Sequence, residues 1–402
     1  MSISPYNGSP CKIIYDNGRF KISDKVLGEG GSGVVNRGFS VQTESPLAVK
    51  TVFDKLVAQA EVNGLQFEIP HAVRYRGEIE RTHDEYCVVM DEVAGKTLAD
   101  GPARALSEIE AIACQQFEIL EDLEDKGLIN WDIKPENLIW NPASRSLSII
   151  DLESLRLLGE PSETEPSVTL ENVAPEALLG KEIDSSYNIW ATGCLFFELI
   201  VGEKLFSTLH QEPENGEYIL QQIVEQLGTP TKEYLDACED SGLFFDDKQE
   251  MKPKWPAMTT GTWSARLTAA LEKKGATALQ IAEWNTLLAS MLRYEGRASV
   301  QELLKSPLCS KEIRLRLMHD RMNKCQMVLT RASEAGADIT IDFRKEKNCC
   351  LHIPKDPNDQ YKLVVKKGSQ QVEATLTLTA GQTVDIYSYQ SQVAPEKKRL
   401  FE

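Results

Sequence analysis

The segment Asn130-Trp131-Asp132-Ile133-Lys134-Pro135-Glu136-Asn137-Leu138-Ile139, followed a little later by Ile149-Ile150-Asp151-Leu152-Glu153, groups residue types suited to one chemistry. A carboxylate such as Asp132 can orient a hydroxyl nucleophile and accept its proton, and Lys134 beside it can neutralise a phosphoryl group in transfer. Asn137 and Asp151 supply an amide oxygen and a carboxylate, donors that suit Mg2+ when phosphate oxygens complete the shell. Asp151 ends an apolar run, so a strand would carry it to the edge of a cleft.

Two further groupings fit the same chemistry. Gly28-Glu29-Gly30-Gly31-Ser32-Gly33-Val34-Val35 has no Cβ at the positions where backbone would approach a phosphate. It lies between two strand-like runs rather than between a strand and a helix, which argues against a dinucleotide-binding fold; alone it would read as a hairpin turn. Lys50, in Leu47-Ala48-Val49-Lys50, falls on a third strand, where its ammonium can pair with nucleotide phosphates. It needs a carboxylate to fix it. Glu61, on the helix that follows, is the candidate; Glu68 competes but lies close to the next strand.

The glycine loop, Ala48-Val49-Lys50, the Asp132-to-Asn137 segment and the later Asp151, in this order, resemble the eukaryotic protein kinases. Ala174-Pro175-Glu176, the helix-like Asn188-Ile189-Trp190-Ala191-Thr192-Gly193-Cys194 and Arg297 extend the resemblance to about residues 20–308. It implies an α+β, bilobal protein kinase fold with a β-rich N-lobe (20–92) and a helical C-lobe (93–308). It also implies ATP and Mg2+ as cofactors and a protein as substrate. The implied catalytic residues are Asp132, Lys50, Glu61, Lys134, Asn137 and Asp151, with Asn137 and Asp151 as metal ligands. The implied nucleotide contacts are Leu27, Gly28, Gly30, Gly33 and Lys50, with Val35, Ala48 and Ile139 around the adenine. Met90 would be the gatekeeper, and the backbone of Asp91 to Val93 would meet the base. Arg297 would pair with Glu176. Lys134 after Asp132 is similar to serine/threonine rather than tyrosine kinases, and Glu225-Gln226-Leu227-Gly228-Thr229-Pro230 resembles the cyclin-dependent and mitogen-activated branch.

Three departures from the family pattern bear on activity. Asn130-Trp131-Asp132 stands where His-Arg-Asp is usual, and a tryptophan cannot form the bidentate pairing by which that arginine holds a loop phosphate. Phosphorylation of Ser162, Thr164, Ser167 or Thr169 is therefore expected not to be obligatory, with Thr169 at the position that contacts the catalytic loop. Asp151-Leu152-Glu153 replaces Asp-Phe-Gly: the aspartate is kept, and the loss of glycine removes backbone freedom. Asn188 replaces an aspartate, and its amide can still accept backbone hydrogen bonds without charge assistance. The leading reading is Mg-ATP-dependent phosphoryl transfer to serine or threonine of proteins. A nucleotide-binding pseudokinase scaffold is the alternative, and a small-molecule kinase, suggested by Glu153, ranks below it.

The elements that must position these residues are legible as patterns. Strand-like runs cover 20–28, 33–40 and 47–50, then a helical period over 53–67, then strands near 73–77 and 85–91. Helical periods dominate from 106–126, where Ser107 and Glu110 form a candidate capping box, and return at 186–201, 215–227, 278–292 and 299–305, with short paired strands at 138–140 and 147–150. Residues 1–19 read as an N-terminal extension, 309–335 as a charged helical linker, and 336–402 as a small all-β C-terminal module.

The chain has 402 residues, 42% hydrophobic and 26% charged, enough for a two-lobed domain and a smaller one. A net charge of −17 argues against broad attraction to nucleic acid or anionic membrane. No signal peptide or spanning segment is read, so the expected location is cytoplasmic. The nine cysteines are expected as reduced thiols, and the five histidines lack ligand spacing. Trp255, Trp263 and Leu243-Phe244-Phe245 mark the 229–276 insert, where packing against the helical region is favoured over docking a partner. The insert and the C-terminal module are the two candidate partner surfaces.

Overall fold

A computed structural model describes residues 11–14, 19–82, 85–101, 103–160, 165–208, 215–252, 255 and 261–310, together with seven strands between 312 and 386. The first part is an antiparallel sheet of β1 (Cys11–Ile14), β2 (Phe20–Gly30), β3 (Gly33–Ser40), β4 (Pro46–Val52), β5 (Tyr75–Thr82) and β6 (Glu85–Asp91) in the order β1-β2-β3-β4-β6-β5. β1 lies within the expected N-terminal extension, which thus supplies an edge strand rather than only a lead-in.

Alternation along β4 places Leu47 and Val49 in a small core with Phe20, Ile22, Cys87 and Val89. Ala48 and Val52 join the main core on the other face. Lys50 has the parity of Ala48 and Val52, and is carried to the same side. One helix, α1 (Lys55–Gln66), follows β4, and Asp54 caps it by accepting from Leu56 and Val57 N–H. It therefore starts after Phe53, which is 69% exposed and no part of the apolar stripe. Ala58, Glu61, Val62 and Leu65, at i, i+3, i+4 and i+7, form the buried face, so a glutamate sits on the inward stripe.

After the two-residue β7 (Lys96–Thr97), helix dominates. α2 (Leu106–Asp125) is buried along most of its length. Its N-cap is Ala105 and no side chain caps it, so the capping box expected from Ser107 and Glu110 does not form; the helix begins one residue earlier, at Leu106, and Ser107 lies within its first turn rather than at the cap. Four short strands, β8 (Leu128–Asn130), β9 (Leu138–Asn141), β10 (Ser146–Ile149) and β11 (Leu155–Leu157), pair as β8–β11 and β7–β9–β10. They fix the segments 131–137 and 150–154 between them.

Next come α3 (Pro175–Leu178), α4 (Ser186–Val201), α5 (Asn215–Leu227), α6 (Lys232–Asp236), α7 (Ser241–Phe244), α8 (Trp263–Lys273), α9 (Ala278–Met291), α10 (Val300–Leu304) and α11 (Pro307–Ser310). α4 is the central helix. Its Phe196 meets Phe117 of α2 and Trp284 of α9 edge-on at 5.6 and 5.9 Å, arrangements that aromatic quadrupoles favour. In the insert, Phe245 is buried and Trp255 packs edge-on against Tyr218 at 5.3 Å, while α8 buries Leu267 and Leu271. Cys114 of α2 and Cys309 of α11 are paired as a disulfide, Cα to Cα 5.3 Å, contrary to the expectation that every cysteine is a free thiol; the fold stacks the two helices and brings together residues far apart in sequence.

Beyond residue 310, β12 (Glu312–Leu317) pairs with β15 (Cys350–Pro354) and β18 (Thr383–Ile386). β13 (Gln326–Arg331) pairs with β14 (Asp338–Asp342) and β16 (Gln360–Lys367), and β16 with β17 (Gln370–Thr377). The helical linker expected over 309–335 is thus replaced by strands. Its sequence explains why: Ile313, Leu315 and Leu317 alternate with charged residues at a period of two.

Candidate active site

Lys50 is the centre of the first constellation. Its ammonium contacts Glu61 Oε2 at 2.8 Å, Asp151 Oδ1 at 2.7 Å and Glu153 Oε2 at 2.9 Å, and the lysine and both glutamates are buried. Glu68, the competing carboxylate, is exposed and lies outside the group. Burial penalises the Lys50 charge, but Glu61, then Asp151 and Glu153, outweigh that penalty and hold the ammonium protonated. Burial pushes the Glu61 carboxyl up to about 7 although Lys50 opposes it. Glu61 Oε1 also accepts the Leu152 N–H at 3.2 Å, so the helix, the strand lysine and the Asp151-Leu152-Glu153 turn are locked to one another. Close approach makes that lock possible: a Cβ on Gly64 would run into the Leu152 carbonyl. Asp151 itself takes a left-handed backbone, φ 58°, a conformation that aspartate tolerates better than most residues.

Asp132 is the centre of the second. Asn137 Nδ2 donates to its Oδ2 at 2.9 Å and to its carbonyl at 3.0 Å. Lys134 Nζ lies 2.7 Å from the same Oδ2, and Thr169 Oγ1 donates to Oδ1 at 2.6 Å. With the Asn137 nitrogen directed at Asp132, its Oδ1 is the atom with which it can ligate a cation. The loop is braced from below: Asn130 Oδ1 accepts the Asp132 N–H at 3.0 Å, Asn188 Oδ1 accepts the Asn130 N–H at 2.9 Å, and Asn188 Nδ2 donates to Leu128 O at 2.9 Å. An amide at 188 thus does accept the expected backbone bond. Trp131 packs against Tyr187 with ring centroids 4.7 Å apart.

The glycine segment is the β2–β3 hairpin, closed by pairing of Gly30 with Gly33. Of its glycines, Gly33 is required by backbone alone: φ is 147° and a Cβ would collide with the Thr51 carbonyl. An added Cβ on Gly28, Gly30 or Gly31 would meet nothing within 4 Å. Ala48 and Met90, paired across β4 and β6, are buried, and Val35, Asp91, Val93 and Ile139 are half-buried, while Leu27 is 38% exposed.

Several participants were not read from the sequence. Ser32 at the hairpin tip donates its hydroxyl to Glu153 Oε1. Asp91 is held by a bidentate pair from Arg76, both bonds 2.6 Å, and Glu92 by Arg37, whose Nε donates at 2.7 Å. Asn172 Nδ2 donates to Ile133 O at 2.8 Å. No local motif marks them, because each bond spans strands or loops that only the fold brings together. The Arg297–Glu176 pairing read from the sequence is present as a buried bidentate pair, 2.5 and 2.7 Å, with Trp190 under the guanidinium.

A profile described as "Protein kinase domain" matches residues 22–309. The chain is 27% identical over 230 residues to "Glycogen synthase kinase 1" of Pyricularia oryzae, covering 52% of this chain and 56% of that protein. It is 27% identical to "DYRK-family kinase pom1" of Schizosaccharomyces pombe over 58% of this chain and 22% of that protein. It is also 27% identical to "Serine/threonine-protein kinase pkn2" of Myxococcus xanthus over 49% of this chain and 26% of that protein. The alignments thus span between about a fifth and somewhat over half of these relatives' lengths. The first two agree with the resemblance to the cyclin-dependent and mitogen-activated branch. With the profile spanning well over half of its length, the chain belongs to the protein kinase domain family.

Proposed function

We propose that the protein transfers the γ-phosphoryl group of ATP to serine or threonine hydroxyls of protein substrates. The observation that carries this reading is that the Lys50 ammonium lies 2.8 Å from Glu61 and 2.7 Å from Asp151, while Asp132 and Asn137 are joined at 2.9 Å beside Thr169 and Lys134. Asp132 accepts the proton of the attacking hydroxyl as the new oxygen–phosphorus bond forms and the bond to the ADP oxygen breaks. Lys50, oriented by Glu61, holds nucleotide phosphates. Lys134 neutralises charge on the transferring group. The donor chemistry of Asn137 Oδ1 and the half-buried Asp151 carboxylate fits Mg2+, which when bound supplies charge neutralisation on the phosphate oxygens. Val35, Ala48, Met90 and Ile139, with the backbone of Asp91 to Val93, would hold adenine.

The proposed arrangement is bilobal, with lobes at 20–92 and 93–308 and a β-rich module at 336–402. That module and the 229–276 insert are the candidate surfaces for a protein partner. Among the described residues no helix is long and apolar enough to cross a membrane, and a cytoplasmic location is proposed. A pseudokinase scaffold is the second reading, favoured by Glu153 where the family has glycine, bonded to Lys50. Incubation with radiolabelled ATP, Mg2+ and a mixed basic protein substrate tests the first reading. Phosphoserine and phosphothreonine are expected, lost with EDTA; nucleotide binding without any labelled protein would favour the second.

A further inference from the structure

Lys50 has three N–H donors, and carboxylates engage all of them: Glu61 at 2.8 Å, Asp151 at 2.7 Å and Glu153 at 2.9 Å. A lysine asked to hold nucleotide phosphates must therefore surrender a partner. Glu61 is fully buried on the inner stripe of α1 and is tied to the Leu152 N–H. Asp151 is one of the two proposed metal ligands. Glu153 is the partner left, at a position where the family pattern has no side chain. Its other oxygen accepts the Ser32 hydroxyl from the tip of the glycine hairpin. The one carboxylate thus bridges the lysine and the loop, the two elements expected on either side of a nucleotide phosphate, and it offers what a phosphate offers: negative charge and acceptor oxygens.

We infer that Glu153 is an internal stand-in for a nucleotide phosphate, occupying Lys50 and drawing the glycine hairpin down through Ser32, so that nucleotide binds by displacing it. Glu153 then sets nucleotide affinity as a positioning residue and makes it depend on the phosphates, not on adenine. The inference rests on the reading of this cleft as a nucleotide site.

Calorimetric titration of the full chain with ADP and with adenosine, both in EDTA, tests it on wild type, Glu153→Gln and Ser32→Ala. Glu153→Gln keeps the shape and removes the charge; Ser32→Ala releases the loop without touching the buried turn. ADP is expected to bind Glu153→Gln about tenfold more tightly than wild type and Ser32→Ala about threefold more tightly, with adenosine affinity unchanged in both. Unchanged or weaker ADP binding to both variants, with wild type binding normally, overturns the inference and leaves the nucleotide site standing. An equal gain for adenosine overturns it too, because the gain would then not come from the phosphates. Failure of all three proteins to bind ADP would overturn the nucleotide site itself, and the inference with it.

Discussion

Thr169 donates its hydroxyl to Asp132 at 2.6 Å, while Trp131, in place of the family's arginine, packs against Tyr187. The loop that carries Thr169 is thus tied to Asp132 by an uncharged hydroxyl donor, with Ser154 Oγ donating to Ser167 O at 2.9 Å as a second tie. No phosphate is needed for either. Ser162 and Thr164 lie outside the described residues. The triple variant Ser162→Ala, Thr164→Ala, Ser167→Ala is expected to keep phosphotransfer within about twofold of wild type. Thr169→Ala should lose about tenfold to a hundredfold in kcat, and Thr169→Ser should recover most of it. Steady-state kinetics on protein freed of phosphate by a phosphatase makes the comparison.

Gly64 sits against the Leu152 carbonyl, leaving no room for a methyl group. Gly64→Ala should drive α1 away from the Asp151-Leu152-Glu153 turn and lengthen the Glu61–Lys50 contact. The expected result is a loss of about 1–3 kcal/mol in stability, as for other overpacked sites, and a fall in kcat/KM of about tenfold or more. Urea unfolding and kinetics on the same preparation check both. Full activity in a stable variant would show that the contact is not needed.

Glu61 gives the pH dependence its sign. Its carboxyl is pushed up to about 7 by burial, with Lys50 pulling the other way. Below that pH it takes a proton and its hold on Lys50 weakens, so kcat/KM should fall as pH drops through about 7. Glu61→Gln should be slower throughout and lack that acid limb. A pH–rate profile of both proteins from pH 5.5 to about 9 is the measurement.

Arg297 and Glu176 form a bidentate pair with side chains 1% and 7% exposed. Removing one partner leaves a buried charge unpaired, which costs about 3–5 kcal/mol. Glu176→Ala should therefore unfold at clearly lower urea. Arg297→Lys should be destabilised as well, since an ammonium cannot reproduce the fork. A change of under about 1 kcal/mol in both would contradict the assignment.

Local pattern revealed much of this fold, and its failures have physical causes. The 3.6-residue period marks α4 at its observed bounds, the glycine cluster marks the start of β3, and the continuous apolar run Tyr86–Met90 marks β6 as a buried strand. In Glu312–Leu317 a true period-two alternation lies at the start of a long charged stretch whose composition resembles a solvated helix, and the strand is hidden by it. α8 has only two buried residues, Leu267 and Leu271, a stripe too short to stand out as a helical period. In the site, the residues with fixed spacing, Asp132, Lys134, Asn137 and Asp151, were legible as a segment. The choice of Glu61 over Glu68 was less so, since it depends on which face of α1 turns inward. Ser32, Arg37, Arg76 and Asn172 left no trace, because their partners are supplied by distant elements.

The most direct test of the central claim compares phosphotransfer by wild type, Asp132→Ala and Asp151→Ala with radiolabelled ATP and a generic basic protein, with circular dichroism confirming that each is folded. The account predicts that label transfer falls by about a thousandfold or more in both variants. Label incorporated at the wild-type rate by either folded variant would contradict it.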